Sequence, residues 1–288
     1  MMDVLRVEDL HVAFSLRGEP HEVLSGISFR VPPGKVVALV GESGSGKSVT
    51  TQAAMGLLPK SADVTSGRIV FTDPADGEET VLTDIARDGP VMRSLRGSRM
   101  SMIFQEPMNS LSPLHTIGDQ VSEALTVHTA MDAAPARTAT EEMLARVGFP
   151  DPATAFDMYS FELSGGLRQR AMIAMALICN PSLLIADEPT TALDVTIQAQ
   201  VLGLLKEMQR ERGMALLLIT HDLGVVAYMA DEVIVIYHGQ IMEAGPVEAV
   251  FRNPQHPYLK ALLRAVPDFN MEPGERLQSL RDIDTTPA

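Results

Sequence analysis

The chain has 288 residues, 45% of them apolar and 21% charged, a balance typical of folded globular proteins that excludes disordered, collagenous and low-complexity classes. Its net charge of −14 divides into −6 over residues 1–150 and −8 over residues 151–288, so no basic half exists to hold a nucleic-acid backbone. The lone cysteine, Cys179, excludes an internal disulfide and a multi-thiolate metal site, and the seven histidines include no i, i+4 ligand pair.

Residues 1–10 carry more acid than base and no apolar core, so no secretory signal is expected there. The longest apolar stretches, 172–179 and 214–219, fall short of the roughly 18–20 residues that span a bilayer. A soluble, cytoplasmic chain is expected, whose dealings with a membrane go through a partner. Residues 5–14 and 27–31 alternate in polarity between Gly and Pro breaks and predict a small antiparallel sheet. A continuous apolar run at 36–40 predicts a buried strand, followed by a Gly-rich loop and a helix over 48–58. Further buried strands are predicted at 100–104, 183–186, 215–219 and 233–237, with helices over 167–179 and 197–212. Between 109 and 162 the strand signal vanishes, which predicts a helical insertion broken at Pro113, Pro135, Pro150 and Pro152. Two short helical segments flank Asn253-Pro254, and a polar tail begins near residue 271. Alternating strands and helices predict an α/β fold with a parallel sheet.

The loop Gly41-Glu42-Ser43-Gly44-Ser45-Gly46-Lys47-Ser48, followed by Val49, satisfies the pattern G-x-x-x-x-G-K-[ST] between a strand and a helix. Glycines let successive N–H groups turn inward onto phosphate oxygens, and the following helix presents its positive end. Lys47 is placed to reach the β and γ phosphates and the Ser48 hydroxyl to coordinate Mg²⁺. The strand at 183–186 ends in Asp187 and Glu188, suited respectively to holding Mg²⁺ and to orienting and deprotonating an attacking water. An apolar strand ending in acids is common by itself, and the upstream loop gives this one its weight. In Leu163-Ser164-Gly165-Gly166-Leu167-Arg168-Gln169-Arg170, Ser164 is an N-cap, and two glycines strip side chains from the helix start so that an anion can approach closely.

That last segment resembles the LSGGQ signature of the ABC ATPases, with Leu167 in place of the usual Gln. The other elements of the family stand in the expected order: Gln105, in Ile103-Phe104-Gln105-Glu106-Pro107-Met108, is similar to the Q-loop. Thr191-Ala192-Leu193-Asp194 is similar to the D-loop, His221 to the switch histidine, and Phe14 to the aromatic that stacks on adenine. Taken singly, each also has a plainer reading: Gln105 as a loop polar group, His221 as a capping residue and Phe14 as core.

The resemblance implies a P-loop NTPase with a RecA-like parallel core, an N-terminal antiparallel β subdomain, a helical insertion and a short C-terminal extension. It implies ATP and Mg²⁺ as ligands. Phe14, residues 41–49, Ser164, Gly165, Gly166 and Asp194 would contact nucleotide, with the signature residues serving a pocket on a second chain. Ser48, Gln105 and Asp187 would surround the metal, and Glu188, His221, Gln105 and Lys47 would serve catalysis.

Residues 251–258, Phe-Arg-Asn-Pro-Gln-His-Pro-Tyr, and the run after Arg170 are similar to the peptide/nickel importer branch. The implied divisions are an ATP-binding domain over 1–245, with its helical subdomain at about 109–162, an oligopeptide/dipeptide transporter segment over 246–270, and a tail over 271–288. The implied partners are a second ABC ATPase subunit, two integral membrane permeases and, indirectly, an extracytoplasmic solute-binding protein, with no nucleic acid. The implied location is the cytoplasmic face of the plasma membrane. Some relatives bind an iron–sulfur cluster through C-terminal cysteines; with Cys179 in the signature helix, none is expected here. A soluble ABC ATPase acting on nucleic acid or ribosomes, and an importer of nickel or an oligosaccharide, remain the alternatives.

Overall fold

A computed structural model describes residues 2–105, 110–191 and 193–265. The polar tail expected from 271, the last residues of the 246–270 segment, the start of the insertion at 109, and Glu106, Pro107, Met108 and Ala192 lie outside the described residues.

Strands β1 (Leu5–Leu16) and β2 (Glu19–Val31) form a long hairpin around Arg17 and Gly18, both with positive φ, the left-handed geometry that a tight turn needs. They join β4 (Ala62–Thr72) and β5 (Glu79–Val81) in an antiparallel sheet of order β2-β1-β4-β5. The antiparallel sheet expected from the first 35 residues therefore takes half its strands from beyond the Gly-rich loop.

The second sheet has the order β10-β9-β3-β8-β7-β6, built from β3 (Val36–Val40), β6 (Met100–Ile103), β7 (Leu183–Asp187), β8 (Ala215–Thr220), β9 (Glu232–Tyr237) and β10 (Gln240–Pro246). All neighbours are parallel except β10 against β9. β3, β7 and β8 are buried along their whole length, because both faces of the sheet are covered. Leu216 and Leu218 of β8 face a core shared with the helical layer, while Ala215, Leu217 and Ile219 face one shared with the antiparallel sheet.

The helices are α1 (Lys47–Ala54), α2 (Pro90–Leu95), α3 (Ile117–Thr129), α4 (Ala133–Arg146), α5 (Pro152–Asp157), α6 (Gly165–Leu177), α7 (Val195–Arg212), α8 (Leu223–Met229), α9 (Val247–Arg252) and α10 (Pro257–Arg264). Residues 117–157 are helical and pack on α6, apart from the sheet strands, as the missing strand signal suggests. Pro135 differs from its expected role as a break. It sits in the first turn of α4, where its missing N–H would have no intrahelical partner anyway. Side-chain caps start α3 (Thr116), α6 (Ser164), α7 (Asp194) and α8 (Asp222), each contributing about 1 kcal/mol. The third core encloses α8, α9 and α10 against Val40 of β3 and Val233 and Val235 of β9, so the segment after β10 docks on the sheet edge.

Candidate functional site

The Gly-rich loop leaves the C-terminal end of β3, at the edge of a parallel sheet where open α/β folds bind ligands. Its glycines answer to specific contacts. A Cβ on Gly41 would lie 2.2 Å from the Ile236 carbonyl oxygen of β9, and Gly46 has φ 107° as the N-cap of α1. Lys47 is 6% exposed and donates from Nζ to the carbonyls of Gly41 and Glu42, both at 2.7 Å. Burial lowers its pKa, and the charges of Glu188, Asp187 and Glu42 partly restore it.

The cavity over this loop, about 340 Å³, is lined by Ser43, Gly44, Gly46, Lys47, Ser48 and Val49, by Phe14, His21 and Val23 of the β1–β2 hairpin, and by Gln105 and Glu188. Phe14 and His21 are directly opposite in the hairpin register. The sequence pointed to Phe14, while His21 and Val23 escaped it. Alternation around the Gly18 turn carries the signal, since the register that brings Phe14 to one side brings His21 beside it.

At the other wall, β7 ends in Asp187, buried at 6% exposure. Burial raises its carboxyl above the usual aspartate range, against a hydrogen bond from Ser48 and the charge of Lys47, while Glu188 adds to the rise. Asp187 Oδ1 is buried without a hydrogen-bond partner. A buried, unsatisfied carboxylate oxygen beside a hydroxyl is a hard oxygen pair that suits Mg²⁺. Among the described residues no group of three or more His, Cys, Asp or Glu is arranged to hold a metal, so most ligands of such an ion would come from phosphate and water.

Glu188 follows in a left-handed conformation, φ 47°, uncommon for a side chain with a Cβ and held by Glu188 N–H to Ile219 O (2.9 Å) and Thr191 N–H to Glu188 O (3.1 Å). Three side chains converge on its carboxylate. Thr191 Oγ1 (2.8 Å) and Gln105 Nε2 (3.0 Å) donate to Oε2, and His221 Nδ1 stands 3.0 Å from Oε1. Burial pushes this carboxyl up, but the hydrogen bonds from His221 and Thr191 and the charges of His221 and Lys47 outweigh it and leave the pKa below the usual glutamate value. Two adjacent carboxylates are thus driven in opposite directions, the pattern of groups with different tasks. From the sequence Thr191 entered only as the first residue of the D-loop-like stretch, with no role at Glu188.

Ser164, Gly165, Gly166 and Asp194 do not line this cavity. Ser164 Oγ caps α6 by accepting from Leu167 N–H at 3.3 Å, and an added Cβ on Gly165 would meet nothing within 4 Å, so this helix start is open to the outside. Asp194 caps α7, accepting from Thr196 and Ile197 N–H at 3.1 and 3.0 Å.

Comparison with known proteins agrees with this arrangement. The ABC transporter family model matches residues 24–191, and the model for the oligopeptide/dipeptide transporter C-terminal region matches residues 242–287. The dipeptide transport ATP-binding protein DppD of Bacillus subtilis is 50% identical over the whole chain, covering 82% of that relative. DppD of Escherichia coli is 48% identical over 98% of the chain and 84% of its own length. Among solved structures, CbiO1 of Clostridium perfringens, part of the ABC transporter complex CbiONQ, superposes with a TM-score of 0.72 at 29% identity over 92% of this chain and 96% of its own. The dimeric structure of MJ0796, described as a bacterial ABC transporter cassette, gives 0.72 at 26% identity over 84% of this chain and 98% of its own. Among the described residues no helix is long and apolar enough to cross a membrane. The chain belongs to the ABC transporter family, as an ATP-binding and ATP-hydrolysing subunit of the branch that carries the oligopeptide/dipeptide transporter C-terminal region.

Proposed function

We propose that this chain hydrolyses ATP at the cavity between the Gly-rich loop and Glu188 to drive peptide import through two separate membrane permeases. The observation that carries the reading is the Glu188 carboxylate, fixed by Thr191, Gln105 and His221 at the mouth of a phosphate-sized loop. Phe14 stacks the nucleobase, and the N–H groups and side chains of residues 41–49 hold the phosphates. Ser48, Asp187 and the Gln105 carbonyl are the chain's donors for Mg²⁺, which when bound neutralises phosphate charge.

Water attacks the γ-phosphorus as its proton passes to Glu188. The bond to the β–γ bridging oxygen breaks, and ADP leaves with that oxygen. His221 steadies charge on the transferring group and Lys47 holds the β and γ oxygens, a mechanism of positioning and electrostatics. Ser164, Gly165, Gly166 and Asp194 serve the cavity of a second, related ATPase chain, with the pair lying peripherally on the cytoplasmic membrane face. Cargo would arrive from an extracytoplasmic solute-binding protein. Peptide is the favoured cargo because the DppD relatives are named for dipeptide transport.

Glu188→Gln keeps the shape and most hydrogen bonds of the side chain but cannot take a proton. It should bind ATP within about twofold of wild type and lose about 10²-fold or more in turnover. An unchanged turnover in the assembled transporter would sink the reading. For cargo, the same assembly should show ATPase stimulation by its binding protein loaded with dipeptides; stimulation by nickel or an oligosaccharide alone would replace peptide.

A further inference from the structure

The C-terminal segment reaches the phosphate loop. Tyr258, in the first turn of α10, is 1% exposed, and its hydroxyl accepts a hydrogen bond from the Glu42 backbone N–H at 3.2 Å, across 216 residues of sequence. Glu42 N–H and Gly41 C=O are the two ends of one peptide unit. The Gly41 carbonyl is the group to which Lys47 Nζ donates at 2.7 Å. The same rigid plane is therefore held by the tyrosine at its N–H end and by the lysine at its C=O end.

The tyrosine is itself fixed from several sides. Its ring stacks on Tyr237 at 4.2 Å, at the end of β9, the strand whose Ile236 carbonyl already crowds Gly41. The turn before it is pinned by Glu243 of β10, whose carboxylate accepts from the N–H groups of Gln255 (3.0 Å) and His256 (2.9 Å). His256 Nδ1 in turn accepts from Tyr258 N–H at 3.2 Å. Burial raises the phenol to about 12, so the hydroxyl stays neutral at any working pH and its acceptor role is constant.

We propose that Tyr258 is a positioning residue for Lys47: by holding the Gly41–Glu42 peptide it sets where the lysine ammonium stands, and so couples the C-terminal segment to phosphate binding. This rests on the reading of Lys47 as a phosphate ligand given above. Without the hydroxyl, that peptide loses its anchor at the N–H end and its carbonyl holds the ammonium less closely to one place. A cap that positions a ligand group shows in affinity more than in the rate once ATP is bound.

The test uses the full chain and ATP with Mg²⁺, comparing Tyr258→Phe, which keeps the ring stack, with Leu262→Ala. The latter loosens the packing of α10 on its core while leaving the hydroxyl. Tyr258→Phe should weaken ATP binding about three- to tenfold, the span expected for one lost hydrogen bond. In the assembled transporter its KM should rise by the same factor while kcat stays within about twofold. The backbone amide resonance of Glu42 should shift in Tyr258→Phe and not in Leu262→Ala. Wild-type affinity in Tyr258→Phe overturns the proposal, as does a loss of affinity that both variants share in proportion to their fall in Tm. A wild-type chain that fails to bind ATP instead overturns the reading on which the proposal rests.

Discussion

Asp187 bears a cost that Glu188 escapes. Its carboxyl is buried with one oxygen unpartnered, and its pKa lies above the usual aspartate range, so the ionised form penalises the fold. The penalty is fully present above the folded pKa and disappears as pH falls to the unfolded value, because the folded chain takes up the proton first. Asp187→Asn should therefore stabilise the nucleotide-free chain at neutral pH by about 1 kcal/mol, a rise in Tm of about 2 °C for a chain of this length, with the gain fading in acid. It should also abolish the Mg²⁺ dependence of ATP binding. Calorimetric scans at two pH values, with and without MgATP, check both halves, and an Asn variant no more stable than wild type at pH 7 would contradict the assignment. Glu188 has the opposite sign. Its pKa is lowered, so its hydrogen bonds contribute stability above the ordinary glutamate value that is lost only as pH falls through the lower folded one. At this scale legibility followed contiguity: residues 41–49, 187 and 188 lie in unbroken motifs. His21, Thr191 and Tyr258 take their places from hairpin register, a turn and a contact across 216 residues, and of these only the register leaves a trace in local sequence, the alternation around Gly18.

Elements were legible where burial was two-sided. The runs at 36–40, 183–186 and 215–219 correspond to β3, β7 and β8 almost to the residue, since a strand covered on both faces must be apolar throughout. β4 carries no such run: its first half, with Thr65, Ser66 and Gly67, is largely exposed, and only residues 69–72 are continuously buried. A half-solvated antiparallel strand has weaker patterning, so it was missed. The packing of the helical layer can be tested at Gly118 in α3, where an added Cβ would lie 2.1 Å from Phe156 Cγ in α5. The ring cannot retreat freely, because the Arg137 guanidinium of α4 sits 4.1 Å from its centroid. Gly118→Ala should cost about 1–3 kcal/mol by overpacking, net of the better helix propensity of Ala. Denaturant unfolding should show the loss, while ATP affinity, which depends on the cavity at the ends of β3 and β7, stays within about twofold. A neutral or stabilising effect would mean that α3 and α5 are packed less closely than their glycine contact indicates.

For the molecule as a whole, a chain of net charge −14 sets a local positive feature at one loop, through Lys47 and the start of α1. The start of α6 also has two glycines after its cap, Ser164, and these residues are not among those lining the chain's own cavity. On the reading proposed above, the start of α6 serves the cavity of a second chain, which a head-to-tail pair would bring to it. Gly165→Asp separates the two locations. In its own chain the substitution meets open space, and a carboxylate in the first turn of α6 favours the helix by about 0.3–1 kcal/mol. Toward a nucleotide held by a second chain, the same carboxylate adds charge repulsion and bulk at the point of closest approach. The isolated chain should thus bind ATP as wild type does and melt no lower, whereas turnover in the assembled transporter should fall about tenfold or more, the price of even 1.4 kcal/mol at the barrier. Equal loss of affinity in the isolated chain would put Gly165 at its own cavity and end the two-chain account.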